Sequence, residues 1–254
     1  MYKLLLFALS IFPMLSFSQS RKIPFIARTS HEVGATLSSN GSASALGLTF
    51  NQYWGFGKKK KNFKVGVGAR LSSSYGSNSL EYITAPARLT SGKTGPAVFF
   101  ADQIEKNIDT LSLGGTQVNS LNLYLALRYD FAKKWGVEFN IDMAGVSIGA
   151  SKNAVLQYGD QTHSTRATTA KPSAGNLLLV SDNDLGSLNS ELMVSYKIKH
   201  NLKLKVGVVF LFNEYKLDNP VTYTNSLGTK VDAETYRTKM YMFGVGVNYI
   251  FKNK

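Results

Sequence analysis

Glu138 and Asp142 are the residues that first suggest chemistry, because facing carboxylates are what general acid–base catalysis and glycoside hydrolysis use. They stand four residues apart in a segment that alternates apolar and polar residues. On a strand that spacing is ~13 Å, beyond the ~5–9.5 Å over which glycosidase carboxylates cooperate. It suits charged partners lining one face instead. Ser91-Gly92-Lys93-Thr94 has the ending of a phosphate-binding loop, but Ala87 stands where the first glycine of that motif belongs. No strand–helix frame surrounds it. His31, His163 and His200 fall in a strand start, a long loop and a short turn. Only His163 is on the outer side, in a loop with Asp160 and Ser164, and catalytic triads draw their members from separate elements. Three histidines and no cysteine leave no material for a His-rich or thiolate metal site, a disulfide, a thiol nucleophile or a lipoprotein anchor. No catalytic, cofactor-binding or metal residue is expected, no cofactor is implied, and the chain does not read as an enzyme.

The elements that would carry such residues explain the composition. The chain has 254 residues, 44% hydrophobic and 12% aromatic, with 18% charged and a formal net charge of +13. Charged residues make up about a quarter of an ordinary soluble domain. Residues 1–18 read as a cleaved signal peptide: Lys3, an apolar stretch, then Ser16-Phe17-Ser18 at the cleavage site. An exported chain meets no nucleic acid, so the basic charge is assigned to lipid phosphates. Lys58–Lys61 is either a solvated turn or a stretch attracted to anionic headgroups. Residues 19–29 form an N-terminal segment, 30–251 the folded domain and 252–254 a tail. Past residue 20 no apolar run reaches the ~20 residues of a membrane helix.

From residue 30 on, the dominant pattern is strict period-2 alternation, the mark of strands with one apolar face. Leu121, Leu123, Leu125, Leu127, Tyr129 and Phe131 alternate with Asn122, Tyr124, Ala126, Arg128 and Asp130. Trp135, Val137, Phe139, Ile141 and Met143 follow in the same way until the phase slips at Gly145, where a bulge is expected. Similar runs cover 46–54, 63–71, 192–198, 202–212 and 241–251, with a weaker first strand at about 32–38. That predicts eight strands. Residues 57–62, 132–134 and 199–201 are tight turns at one end; 39–42, 76–117, 151–184 and 216–234 are the connections at the other, three of them long. Loops above ~15 residues are uncommon in compact soluble domains but expected on one side of an outer-membrane barrel. A hairpin within 76–117, which would make ten strands, is rejected because residues 80–89, with Pro86 and Arg88, are too polar to face lipid. Val98, Phe99, Phe100, Ile104, Ile108 and Leu111 predict a short helix or strand extension over the rim, as a lid or as a patch for a partner.

Which face is apolar separates a soluble barrel, apolar inside, from a membrane barrel, apolar outside. The polar face carries Lys64, Arg70, Arg128, Asp130, Glu138, Asp142, Glu191 and Lys205, with Lys197 and Lys203; the other is almost purely aliphatic and aromatic. Trp54, Phe56, Phe63, Tyr129, Phe131, Trp135 and Tyr249, with Tyr53, gather near the short-turn end as an interfacial aromatic girdle. The fold class expected is therefore an all-β, eight-stranded antiparallel transmembrane up-and-down barrel with short periplasmic turns and long extracellular loops.

On these residues the chain resembles the small outer-membrane barrels of Gram-negative bacteria, in particular the outer membrane protein X type and the related barrel family common in Bacteroidetes. The resemblance implies insertion by the barrel assembly machinery through the last strand, with Tyr249 and Phe251 as its signal, although Lys252-Asn253-Lys254 extends past that aromatic end. It implies lipid partners, lipopolysaccharide included, and an outer-membrane location. Fold does not choose function here. Two readings stand: a structural or protein-interaction barrel presenting surface loops, accessory to an envelope or secretion machine, and a narrow channel or carrier for a small or hydrophobic ligand. Eight strands enclose a space that side chains fill. Pairing across the 132–134 turn sets Arg128 opposite Glu138, pairing across 57–62 sets Tyr53 over Gly66, and Lys197 comes opposite Lys203, an arrangement expected at a solvated mouth.

Overall fold

The computed structural model describes residues 26–56, 62–85, 87–91, 93, 102, 104–159, 164–179, 183–224 and 230–251. The signal peptide, Lys58–Lys61, Val98–Phe100, His163 and the C-terminal tail lie outside these residues. Alternating β-branched and aromatic residues form long antiparallel strands: β1 (Ile26–Ser39), β2 (Ala43–Phe56) and β3 (Phe63–Gly76). After the short β4 (Glu81–Ala85), α1 (Ala87–Ser91) and β5 (Thr110–Leu113) come β6 (Thr116–Tyr129) and β7 (Trp135–Ile148). Three more short strands follow, β8 (Lys152–Gln157), β9 (Thr165–Pro172) and β10 (Gly175–Leu177). The chain closes with β11 (Leu188–Lys199), β12 (Leu202–Thr224) and β13 (Lys230–Phe251).

Among the described residues, thirteen strands in one sheet stand where eight were expected. The extra five are the short ones, built within the connections read as loops. The pairings form two closed circuits. In the first, β1, β2, β3, β6, β7, β11, β12 and β13 follow one another and β13 returns to β1. In the second, the distal halves of β12 and β13 are joined through β9, β8, β5 and β4. Strands β12 and β13 serve both circuits because they are 23 and 22 residues long, roughly 75 Å at ~3.3 Å per residue. The segment 216–234, expected as a loop, is mostly strand. Asp218, Asn219 and Pro220 sit instead in the register shift between Lys216 and Val221, where a strand tolerates proline.

The rejected hairpin is also present. Glu81, Tyr82 and Ile83 pair with Ser112, Leu111 and Thr110, and Tyr82 and Leu111 are fully buried. Such a hairpin need not face lipid: it belongs to the second circuit and buries Tyr82, Leu111 and Leu113 inward, leaving Ile83 outside. The first strand begins at Ile26 rather than near residue 32. The bulge falls between Leu123 and Tyr124 of β6, opposite Met143, two residues before Gly145. Gly145 answers a different need: a side chain there would strike Asn122 Oδ1 at 2.1 Å.

Candidate functional site: a filled bore beneath a folded cap

The alternation puts charge inside the main circuit and hydrocarbon outside. On β6, Leu121, Leu123, Leu125 and Leu127 are 52%, 54%, 43% and 41% exposed, while Asn122, Tyr124 and Ala126 between them are buried to within 2%. Of the aromatics expected as a girdle, Phe63, Tyr129, Phe131, Trp135 and Tyr249 are exposed on the outer wall and Trp54 and Phe56 are half-buried. Tyr53 belongs inside: its ring lies over Gly66, where an added Cβ would meet it at 2.7 Å.

Side chains cross the bore in two layers. In the layer nearer the tight turns, Glu32 of β1 accepts Arg128 Nη1 at 2.8 Å, Lys203 Nζ at 2.7 Å, Asn248 Nδ2 at 3.1 Å and Ser30 Oγ at 3.3 Å. Glu138 also receives Lys203. Arg128 stands opposite Glu138 in register, but its Nε is 3.6 Å from Glu138 and only 2.7 Å from Asp130. Asp130, at the mouth, collects Lys64 at 2.8 Å and Lys197 at 3.5 Å as well. Lys197 and Lys203 are register partners as expected, but they do not share a solvated mouth. Only Lys197 is there; the Lys203 side chain is fully buried, held between two carboxylates that make its charge tolerable.

The second layer is built on Arg70. Its Nη1 reaches Asp142 Oδ1 at 2.7 Å and the Asn189 carbonyl at 3.3 Å, and its Nη2 meets Asn140 and, at 3.3 Å, Glu191. Its Cζ lies 4.8 Å from the Tyr124 ring centroid, and the Tyr124 hydroxyl donates to Asn51. Asp142 Oδ2 accepts Asn122 Nδ2 at 2.7 Å and the Asn189 amide at 3.0 Å. Glu138 and Asp142 thus serve different arginine-centred layers and do not form a catalytic pair. Lys205 is buried on the same inner face. Glu32 is the residue that sequence reasoning missed. It lies in the weakest strand among Ser30, Gly34, Thr36 and Ser38, so nothing along the chain marks it as a hub.

Above these layers the interior turns apolar. Met193, Val209, Leu211, Met240, Met242, Ala43 and Ala45 form one cluster. Farther up, the second circuit encloses its own core of Tyr82, Leu111, Leu113, Leu156, Leu217, Tyr215 and Tyr236. Tyr82 and Tyr215 meet edge to face at 5.2 Å, and burial pushes both phenols up, Tyr215 to about 12. Asp109 fastens the cap: it accepts the Gly159 amide at 2.9 Å and the Tyr236 hydroxyl at 3.3 Å. Beside the cap, the Glu214 carboxyl takes the Gly186 amide at 3.2 Å, and burial holds it above its ordinary range. Among the described residues no group of three or more His, Asp or Glu could hold a metal.

No family model matches the chain, and no curated protein matches it. Among solved structures it is similar to Neisserial surface protein A, with 12% identity over 90% of this chain and 97% of that one at a TM-score of 0.32. It is likewise similar to Ail, the attachment invasion locus protein of Yersinia pestis, at 8% identity, 88% and 98% coverage and a TM-score of 0.32. The CymD monoaromatic hydrocarbon channel follows at 11% identity, 90% and 89% coverage and 0.25. Scores this low carry no weight for function; the wall, the bore and the cap of the chain itself do.

Proposed function

We propose that the chain is an integral outer-membrane β-barrel whose eight-strand circuit spans the lipid and whose cap is a rigid interaction surface at the cell exterior. The observation that carries this reading is the inverted wall, with leucine and valine outside and arginine, lysine and carboxylates inside. In water that outer face would be an exposed apolar patch far larger than a soluble monomer tolerates. Leu121–Tyr129 on β6 supplies the ~9–11 residues a tilted transmembrane strand needs. On the last two strands the lipid-facing parts are 202–210 and 241–251, which leaves Glu214, Tyr215 and Tyr236 above the membrane. The tight turns then face the periplasm and the cap faces outward. Tyr249 and Phe251, edge to face at 5.3 Å, end the last strand as the assembly machinery would read it, and lipopolysaccharide is the lipid beside the cap.

A binding role, structural or toward an envelope partner, fits this architecture better than transport. The bore is crossed by Arg70, Arg128 and Lys203, each tied to carboxylates on strands across the circuit, and an apolar core lies over them. Among the described residues neither an ion nor a hydrophobic ligand finds a path lined to suit it. Planar-bilayer recording of the reconstituted chain should be silent at ordinary voltages. Regular conductance steps would overturn the sealed-barrel reading and favour the channel.

A further inference from the structure

The outer wall is not uniform around its circumference. Val137, Val194, Val206 and Val245 stand in register across β7, β11, β12 and β13, spanning about 14 Å at ~4.8 Å between strands. Longer side chains border most of this row, Trp135, Tyr196 and Leu204 toward the turn end and Phe139, Leu192 and Phe243 toward the cap, with Val247 and Val208 completing the two borders. The result is a shallow trough, of which a cleft of about 410 Å³ is lined by Trp135, Val194, Tyr196, Leu204, Val206 and Val245. Because barrel strands tilt by ~45°, a row running across them descends obliquely, as an acyl chain does on leaving its headgroup.

The trough ends at a cation. Trp135 and Tyr196 pack at 4.7 Å between ring centroids, and Lys134 Nζ lies 5.7 Å from the Tyr196 ring centroid. The Lys134 backbone is pinned there by the Lys197 amide, which donates to its carbonyl at 2.8 Å. Lys133 and Lys199 flank it on the same pair of turns. Asp130, the one carboxylate among the described residues of these turns, is already engaged by Lys64, Arg128 and Lys197. A negative group arriving at Lys134 therefore meets a surplus of positive charge, and a positive group finds no free acceptor.

We propose that Lys134, Trp135, Tyr196 and the valine row bind one anionic glycerophospholipid, with its phosphate at Lys134 and one acyl chain in the trough. This rests on the membrane reading above, which puts the tight turns in the periplasmic leaflet, away from lipopolysaccharide. A basic residue at a membrane surface favours an anionic lipid by about fivefold, and the aromatic pair fixes the depth of the site.

The chain carries two tryptophans, so Trp54→Phe leaves Trp135 as a reporter inside the site. In phosphatidylcholine vesicles, brominated phosphatidylglycerol should quench Trp135 beyond its bulk mole fraction, with a relative binding constant of about five. Lys134→Gln should return that constant to about one. Val206→Phe, a lipid-facing change that leaves the bore untouched, should also lower it by filling the trough. Equal quenching by brominated phosphatidylglycerol and brominated phosphatidylcholine would overturn the lipid site while leaving the barrel in its membrane. A preference indifferent to both variants would likewise overturn the site. Absence of quenching by either lipid would overturn the membrane reading along with it.

Discussion

Glu32→Ala should lower the temperature at which the folded barrel converts to the unfolded chain by more than any surface charge change. The Glu32 side chain is fully buried and directly engages Arg128 and Lys203. With it in place, Lys64, Arg128, Lys197 and Lys203 exceed Glu32, Asp130 and Glu138 by one cation, which the mouth can hydrate through the partly exposed Lys197. Without it the excess doubles, and the added imbalance falls on Lys203, which no water reaches. Removing one member of a buried ion pair typically costs ~3–5 kcal/mol, against ~0–1 kcal/mol for an exposed pair. Lys216→Ala, which breaks the half-exposed pair with Glu234 at 2.9 Å, is the control. Adding Lys203→Met to Glu32→Ala should recover part of the loss, since the stranded ammonium goes with it. The shift of band migration between unheated and heated samples reads all three variants. Equal small shifts for Glu32→Ala and Lys216→Ala would mean that the bore is wet and its charges are not coupled.

Tyr82→Ala should cost about as much, but in a different part of the molecule. Tyr82 is fully buried, packs on Tyr215 and donates to Thr116 Oγ1 at 3.1 Å. Deleting a core aromatic leaves a cavity and costs ~3–5 kcal/mol. The cap's circuit touches the main one through β12, β13 and the start of β6, so the loss should stay local. Trypsin should then cut at Lys152 or Arg166, which β8 and β9 protect in the native chain, while the migration shift of the barrel persists. Cutting in the cap together with loss of the folded barrel band would show instead that the two circuits form one cooperative unit.

These two sites differ in how far the sequence announces them. The long strands are legible because each has an apolar outer face and a polar inner one, so β6 alternates from Leu121 to Tyr129 and β7 again from Trp135 to Met143. The outward aromatics Trp135 and Tyr129 are legible for the same reason: they stand at the ends of such runs and are exposed. The cap is not, because its strands are short and half-buried. Tyr82 and Leu111 each have one apolar neighbour at period two before Pro86, Gly114 or a polar residue intervenes. In β12 and β13 the alternation does continue through Tyr215, Leu217 and Tyr236, but Asp218-Asn219-Pro220 reads as a turn when it is a bulge within a strand. The lumen partners are legible as a set and not as pairs. Cross-strand register sets Arg128 opposite Glu138, yet a long side chain in a narrow bore reaches past its register partner, and Arg128 lies closer to Glu32 on a strand across the circuit. Glu32 itself is hidden by the small polar residues around it.

Because the chain has no cysteine, single cysteines can be introduced along β6 and spin-labelled one at a time in vesicles. This tests the orientation of the wall, on which the rest depends. Labels at 121, 123, 125 and 127 should collide freely with oxygen dissolved in the bilayer, and labels at 122, 124 and 126 should be shielded from it. Odd positions accessible to a water-soluble relaxant along the whole strand would contradict a membrane-spanning barrel and make the chain a soluble one, and even positions in lipid would reverse the wall assigned here.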